Sequence, residues 1–529
     1  MVAVVLSASV ASHVWSMSLL GTLTRSSGQL TQEQLIQNAY TWIPTHPEFT
    51  LKAVSSVVST TYASAHASQT SSSVSTATRT QTTTISPTYV VFVDPEDPRI
   101  IKAKNSITGK IDFSGTDAAT VIQNAIDALN STRTSKEKVL LSGSFSISKT
   151  IKVPSYTILE IQGTLTPAPQ AAKDGSTLGN AQYPLIQNAD LALGNNDIEI
   201  RGGILDGGTT DIQHDAIHFN GVTNSTVQDI SIMRFRGRGI VLGETTGGDS
   251  ACQDIMISNC RFEHMGLEAI RTIVLSSLPA TIGNKRIIIT RCSFESNNEI
   301  PGDHYGAVHL DANTQDSLVD SCVFTNEKSA VEIDSAFRNI VSNSIIDTTS
   351  SSAIIVYQGT GPEEQTATLN HIIGNSIANA GLAGILIASD TAANLATQNT
   401  IENNTITNCN TRGGYPYGAI AVEGSPDNVI VGNIIEYTGS HGIVLFPADW
   451  RKCDRTQIAR NRLSHCSGNG IELGDNAGRD ITISNNYSTN NRYGVFIDSG
   501  NLNTRLVGNS LANNALGTIY DLGIGTQKG

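Results

Sequence analysis

The sequence of 529 residues has few aromatic side chains and fewer basic than acidic ones. Phe, Trp and Tyr together supply 5% of the residues, so an extended platform for stacking sugar rings is not expected. There are 34 basic against 47 acidic residues, and the net charge of −13 argues against a nucleic acid as the partner. Long apolar runs are lacking too, so no transmembrane segment is predicted.

Residues 1–88 differ in composition from the rest of the chain. Residues 1–15 are mildly apolar but lack the basic start of a secretory signal. The spacing over 30–43 predicts an amphipathic helix, and residues 53–87 are dominated by Ser, Thr and Ala, which is typical of a linker or stalk. We interpret residues 1–88 as an N-terminal extension that anchors or oligomerises the protein.

A short motif recurs along the C-terminal two thirds of the chain. It consists of Gly or Ala, an apolar residue, any residue and a second apolar residue. Copies begin at Ala216, Gly239, Ala307, Ala330, Ala353, Gly384, Ala419, Gly442, Gly470 and Gly494. Several copies lie 23 residues apart, as Ala307 and Ala330 do, and such a period indicates stacked units. Short Ile- and Val-rich strands between Gly, Asn, Asp and Ser turns predict a parallel β-helix of about 11 to 13 coils.

A second position of the repeat forms a column of small polar side chains. Its predicted members are Cys260, Cys292, Cys322, Asn343, Asn375, Asn404, Asn433, Asn461, Asn485 and Asn509. Stacked Asn side chains can hydrogen-bond along such a column, and the three cysteines are expected to be buried free thiols. No Cys/His spacing is typical of a zinc site. Pairing among Cys252, Cys409, Cys453 and Cys466 stays open.

These repeats resemble those of the pectate-lyase-like, right-handed parallel β-helix superfamily. The stretch TDAATVIQNAIDAL (116–129), with Thr116 or Asp117 as helix cap, is similar to the helix that closes the N-terminal end in that superfamily. The stretch IEIRGGILDGG (198–208) is similar to its first coil. The resemblance implies an all-β solenoid in which residues 89–197 form the cap and first coils and residues 198–529 form the repeats. It implies no single activity, because the superfamily contains lyases, hydrolases, epimerases, tailspikes and adhesins.

Ionisable side chains concentrate on one outer face of the predicted solenoid. In each motif the two apolar residues point inward, and the residue between them and the residue after them point outward. Three successive coils then carry Arg271, His309, Asp311, Glu332 and Asp334 outward, with Tyr357 on the next coil. Strand pairing would place Glu332 opposite His309, and Asp334 opposite Asp311. A long connection, residues 297–306, would bring Asp303, His304 and Tyr305 beside them. The alternative is a surface ladder of ion pairs that only solvates the sheet.

Carboxylates this close repel each other, so one of them is expected to have a raised pKa. That arrangement suits an acid and a base, or an acid and a nucleophile, at a glycosidic bond. We therefore predict a carbohydrate-active enzyme that cleaves or rearranges a polysaccharide. The predicted catalytic residues are Glu332, Asp311, Asp334 and His309, and the predicted substrate-binding residues are Arg271, Tyr357, Asp303, His304 and Tyr305.

Three alternatives use the same features differently. A lyase or uronate epimerase would use Arg271 or a metal ion to neutralise the substrate, His309 as base, and Tyr357 or Tyr305 as acid. A non-catalytic fibre, tailspike or adhesin, as a homotrimer, would explain the N-terminal extension. No cofactor is required for hydrolysis, whereas a Ca²⁺ ion is the alternative use of the clustered carboxylates. In each case the expected location is extracellular or on a cell or virion surface.

Overall fold

The structure is a computed structural model of the chain. It describes residues 85–168, 184–208, 214–243, 251–273, 282–300, 306–359, 366–389, 395–413 and 417–529. The predicted amphipathic helix over 30–43 and almost all of the Ser- and Thr-rich segment lie outside the described residues. Within them, no helix is long and apolar enough to span a membrane.

Short strands stack into three sheets, and the right-handed parallel β-helix predicted from the repeat is confirmed. In the first sheet the strands are Tyr89–Val93, Ile101–Asn105, Ile111–Gly115, Glu137–Ser142, Thr157–Gln162, Ile198–Arg201, Thr223–Gln228, Gln253–Ser258, Lys285–Thr290, Leu318–Asp320, Ile340–Ser342, His371–Ile373, Thr400–Glu402, Val429–Val431, Gln457–Ala459, Thr482–Ser484, Arg505–Val507 and Gln527–Lys528. In the second they are Phe145–Ile147, Thr164–Pro167, Ile204–Asp206, Ser231–Met233, Arg261–Glu263, Ser293–Glu295, Val323–Glu327, Ile345–Thr349, Ser376–Ala380, Thr405–Thr407, Ile434–Glu436, Arg462–Ser464 and Tyr487–Thr489. In the third they are Ile151–Val153, Pro184–Asn188, Asp215–Phe219, Ile240–Leu242, Ile270–Thr272, Val308–Leu310, Val331–Asp334, Ile354–Gln358, Ile385–Ser389, Ile420–Glu423, Ile443–Phe446, Ile471–Leu473, Tyr493–Ile497 and Gly517–Asp521.

The core is a column of apolar side chains inside the three sheets. Alternation along each strand sends every second residue inward, so Val308 and Leu310 of the third sheet are fully buried. Equivalent positions of successive coils lie above one another and carry like side chains. Phe262, Phe294 and Phe324 stack with ring centroids 5.0 and 4.6 Å apart and planes within 7° of parallel. The repeat therefore determines both the strand register and the contents of the core.

A helix, α1 (Ala118–Asp127), packs on the first coils, as the sequence predicts. Asp117 is its N-cap, and the carboxylate of Asp117 accepts a hydrogen bond from the backbone N–H of Thr120 at 3.1 Å. Ala125 and Ile126 are among the residues that it buries against the solenoid. The helix thus covers apolar surface that the first coil would otherwise expose.

The polar ladder exists, but two of its predicted members are wrong. The backbone N–H of Cys322 donates to Ser344 Oγ at 3.2 Å, so Ser344 continues the column where Asn343 was expected. Likewise Asn486, not Asn485, accepts from the coil before it. Asn343 and Asn485 adopt φ of 49° and 54°, the left-handed bend that precedes the inward-pointing residue. Both positions have two small polar residues in a row, and only the backbone conformation distinguishes them.

All seven cysteines lie in the described ranges as buried free thiols. This confirms the expectation for Cys260, Cys292 and Cys322. It also answers the open question of pairing, since Cys252, Cys409, Cys453 and Cys466 are free as well.

Replacing Asn404 by Ala is expected to lower the free energy of unfolding by about 2 kcal/mol, because it leaves buried donors and acceptors without partners. Asn404 is fully buried, accepts from Asn375 N at 2.9 Å and donates to the carbonyl of Ile372 at 2.9 Å. Urea denaturation measures the change. The exposed neighbour Thr405 is the control, and Thr405→Ala is expected to change stability by less than about 0.5 kcal/mol. Equal effects of the two substitutions would contradict the ladder's role.

Candidate active site on the outer face of the third sheet

The outward column of the third sheet has the predicted register. His309 pairs with Arg271 on one side and with Glu332 on the other, and Asp334 pairs with Tyr357. In order, the column contains His218, Val241, Arg271, His309, Glu332, Ile355, Leu386, Ala421, Val444, Glu472 and Phe496. Charged side chains from distant parts of the sequence therefore meet on adjacent coils.

His309 and Glu332 of this column, together with Asp311 and Asp334 two residues after them, form what we call the acid cluster. Ligand atoms of His309, Asp311 and Asp334 all lie within 4.8 Å of one another. His309 is fully buried, Glu332 is 6% exposed, and the two aspartates are half-buried. A ladder that merely solvated the sheet would be exposed, so this burial distinguishes the acid cluster from ordinary surface charge.

Glu332 carries the most unusual carboxyl group of the acid cluster. Its Oε2 atom is buried and has no hydrogen-bond partner among the described residues. The pKa of Glu332 is raised to about 7, chiefly by burial; His309 opposes the rise, whereas the nearby Asp334 and Asp311 contribute to it. Near neutral pH a substantial fraction of Glu332 therefore holds a proton.

Asp311 shows the opposite behaviour. Burial alone would raise its pKa, but His309 and Arg271 together hold the pKa of Asp311 below its usual value. Arg271 donates to Asp311 Oδ2 from Nη2 at 2.7 Å and from Nε at 3.2 Å, and the backbone N–H of Ala312 donates to Oδ1 at 2.8 Å. Asp311 is thus an ionised carboxylate in a fixed orientation.

Asp334 lies between these two cases. Burial is the main cause that raises the pKa of Asp334, and Asp311 adds to it while His309 opposes it. Its Oδ1 accepts from Ser335 Oγ at 2.9 Å and from the backbone N–H of Gly359 at 3.1 Å.

The sequence analysis did not predict Glu268, which lies next to His309 of the acid cluster. This fully buried carboxylate accepts from Arg238 Nε at 2.7 Å and from Arg271 Nη1 at 2.8 Å, and His309 Nδ1 lies 3.5 Å away. Burial alone would raise its pKa, but His309, Arg238 and Arg271 hold the pKa of Glu268 far below its usual value. The residue just before each Gly or Ala of the motif forms a third column, in which Asp215, Arg238 and Glu268 follow one another; that column was the available signal.

The pKa of His309 is raised above its usual value. Burial alone would lower its pKa, but Asp311 and Glu268 raise the pKa of His309 because they stabilise the imidazolium. The Nε2 atom of His309 lies 4.0 Å from Asp311 Oδ1. When it is protonated, the ring places positive charge between Asp311 and Glu268.

The remaining predicted residues have different outcomes. Tyr357 lies beside Asp334 in the register and packs on an apolar group of outward-facing side chains. That group contains Ala383, Leu386, Ala388, Ala421 and Val444, with Ile355, Tyr417 and Phe446 against it. Asp303, His304 and Tyr305 lie outside the described residues.

The acid cluster also has atoms that suit a metal ion. His309, Asp311 and Asp334 each offer a ligand atom, but a metal ion would compete with the proton whose binding to His309 is favoured by Asp311 and Glu268. The predicted Ca²⁺ site uses the oxygens of Asp311, Glu332 and Asp334 instead, and it stays a prediction.

Comparison with known proteins identifies the family. No curated protein sequence matches the chain. The tailspike protein of Escherichia coli bacteriophage HK620 in complex with a pentasaccharide is 13% identical, with a TM-score of 0.54 over 77% of this chain and 75% of that one. A mutant of that tailspike in complex with a hexasaccharide is also 13% identical, with a TM-score of 0.56 over 77% and 74%. The mannuronan C-5 epimerase A-module of Azotobacter vinelandii is 14% identical, with a TM-score of 0.43 over 78% and 96%. At 13% identity the likeness to the tailspike is one of fold. The model of the right-handed β-helix region matches residues 215–401 and 365–511, more than half of the chain, and the chain therefore belongs to the right-handed β-helix family.

Proposed function

We propose that the protein hydrolyses a glycosidic bond of a polysaccharide at the acid cluster, with Glu332 as the general acid and Asp311 as the ionised partner. The observation that carries the proposal is the contrast between these two carboxyl groups. Burial raises the pKa of Glu332 to about 7, whereas His309 and Arg271 overcome burial and lower the pKa of Asp311. A protonated and an ionised carboxyl group on adjacent coils are the pair that glycoside hydrolysis needs.

Each group then has a distinct task. Glu332 would protonate the leaving-group oxygen, because its Oε2, which has no hydrogen-bond partner among the described residues, can direct a proton to an incoming acceptor. Asp311 would act as nucleophile or activate a water molecule. Arg271 orients Asp311 and keeps it ionised. Asp334 would border the substrate site beside Tyr357.

The lyase or epimerase alternative receives less support from the same contacts. Its base would be His309, but Asp311 and Glu268 raise the pKa of His309 and so favour the protonated ring, which cannot act as a base. Its neutralising cation would be Arg271 or a metal ion, yet the guanidinium group of Arg271 is bound to Asp311 and Glu268. Neither group can act in that way without breaking a buried ion pair.

A second candidate is a polysaccharide-binding spike without catalysis. The tailspike noted above shares the fold and is recorded with a pentasaccharide, which supports a saccharide as the partner here. This candidate includes the predicted homotrimer and the predicted location on a virion or cell surface. Sedimentation of the full chain tests the trimer.

Release of reducing ends from a panel of surface polysaccharides, followed across pH, tests hydrolysis. The Glu332 pKa is raised, so the acid is present at low pH and is lost as the pH rises through about 7. The pKa of Asp311 is lowered from its usual value of 3.8, so Asp311 stays ionised at a pH somewhat below 3.8. We expect kcat/KM to be constant in mildly acidic solution and to fall above pH 7, with no effect of a chelator. A rate that keeps rising in alkali contradicts the assignment, and loss with a chelator that Ca²⁺ reverses favours the metal site. Binding without release favours the spike.

A further inference from the structure

A second feature lies at the same edge of the third sheet, farther along the solenoid. The strand Ile443–Phe446 is followed by a connection over residues 447–456, whereas residues 424–428 make the same connection in the coil before. The extra residues include Trp450. The strand of Phe446 is four coils from the strand of Glu332, which is ~19 Å along the axis. The C-terminal ends of parallel strands lie along one border of a sheet. Trp450 and the acid cluster therefore lie toward the same border of the third sheet.

A small hairpin holds Trp450 in place. Ala448 and Arg451 exchange two backbone hydrogen bonds, of 3.1 and 3.0 Å, and Asp449 adopts φ of 54° at the turn. Trp450 at the tip is 65% exposed. An indole ring fixed in water offers a large apolar face for a ligand at little cost in conformational entropy.

The hairpin forms one wall of a cavity of about 460 Å³. Its lining combines apolar side chains with three arginines, one lysine and one aspartate, Arg451, Lys452 and Asp454 being among them. It includes Trp450, Pro426, Leu395, Leu502, Arg455 and Arg479.

Arg455 and Arg479 both have donors to spare. Arg455 binds Asp427 through Nε and Nη2, and Arg479 binds Asp454 through Nε, so their charges are oriented by neighbouring coils. Within the part of the chain that the structure describes, Arg455 Nη1 and both Nη groups of Arg479 have no hydrogen-bond partner. The two side chains are 52% and 60% exposed. Unused guanidinium N–H groups beside an aromatic face suit a planar carboxylate carried on a ring.

We propose that this cavity binds an acidic sugar, with the sugar ring on Trp450 and its carboxylate on Arg479 and Arg455. The choice of a saccharide rests on the proposed function, and the acidic character rests on the guanidinium groups. A polysaccharide that lies along the sheet edge would occupy this cavity and the acid cluster at once. The cavity would then hold the polysaccharide while the acid cluster cleaves it.

Intrinsic fluorescence tests the proposal, because the chain has three tryptophans. Substituting Trp15→Phe and Trp42→Phe makes Trp450 the only one. The full chain is titrated with oligogalacturonate, with maltooligosaccharide of equal length and with sodium acetate. We expect a saturable change with oligogalacturonate alone. Arg479→Ala is expected to weaken binding at least about tenfold, the loss of one charge-assisted hydrogen bond.

The matched control is Arg286→Ala. Arg286 is also an exposed arginine paired with an aspartate of the neighbouring coil, but it lies away from Trp450. It is expected to leave the titration unchanged. No change up to about 10 mM oligogalacturonate, the same change with acetate, or full binding by the Arg479→Ala protein would overturn the proposal. Since the titration needs no turnover, hydrolysis without this signal refutes only the cavity, and the signal without hydrolysis refutes only the proposed function.

Discussion

Substituting Glu332→Gln is expected to lower kcat for polysaccharide hydrolysis about 10³-fold, because the amide cannot deliver the proton that the leaving group needs. The side chain keeps its size, and Glu332 is partly neutral near pH 7 already, so the fold should be maintained. The measurement is kcat from reducing-end release, with the melting temperature of each protein as a check on folding.

Glu472 provides a matched control for this substitution. It stands in the same outward column, five coils farther along, and it is paired with His441 at 2.8 Å. Glu472→Gln is expected to leave kcat within about twofold, since Glu472 lies ~24 Å from Glu332. If Glu332→Gln retains wild-type kcat, or if both variants lose activity equally, then Glu332 is not the acid.

Substituting Glu268→Ala is expected to cost about 3–5 kcal/mol of stability, the largest effect on folding among these predictions. It leaves Arg238 and Arg271 beside an empty space in a buried site, and it removes the carboxylate nearest His309 Nδ1. The free energy of unfolding in urea gives the value.

The same carboxylate makes stability depend on pH with a definite sign. The pKa of Glu268 is held below its unfolded value, so its contribution is present above the ordinary glutamate pKa of 4.5 and is lost as the pH falls through the folded value. The wild type should therefore lose more stability in acid than the Glu268→Ala protein does. The control is Glu295→Ala, since Glu295 is 48% exposed and 3.5 Å from Arg261, and we expect less than about 1 kcal/mol there. A change below about 1 kcal/mol for Glu268→Ala would show that the ion pairs are dispensable.

The sequence alone predicts this fold well because every coil repeats the same sequence motif. One motif defines which residues point inward, and stacking then converts sequence position into spatial position. The register of Arg271, His309 and Glu332 follows from three copies of that motif, and the structure has the same pairing. Errors arose only where the motif was ambiguous by one residue, as at Asn343 and Asn485.

The environment of the site was harder to predict. Side chains that point outward from a sheet are usually exposed, yet His309 is fully buried and Glu332 is nearly fully buried. Burial depends on what neighbouring coils and connections place over a side chain, and connections do not follow the repeat. Glu268 escaped notice for a related reason, because it precedes the motif at a position where most coils have small or neutral residues.

The asparagine ladder also limits how such a molecule can change its length. Each backbone N–H donates toward the next coil, as Asn404 N does to Asn433 Oδ1 at 2.9 Å, so the chain of bonds has one direction. A gene duplication that adds a complete turn keeps every donor matched to an acceptor. An insertion of a few codons inside a strand would break that match between the altered coil and its two neighbours unless a connection absorbed it. Growth by whole turns would move the acid cluster and the Trp450 hairpin apart in steps of one coil, so the spacing between them can be altered without altering either.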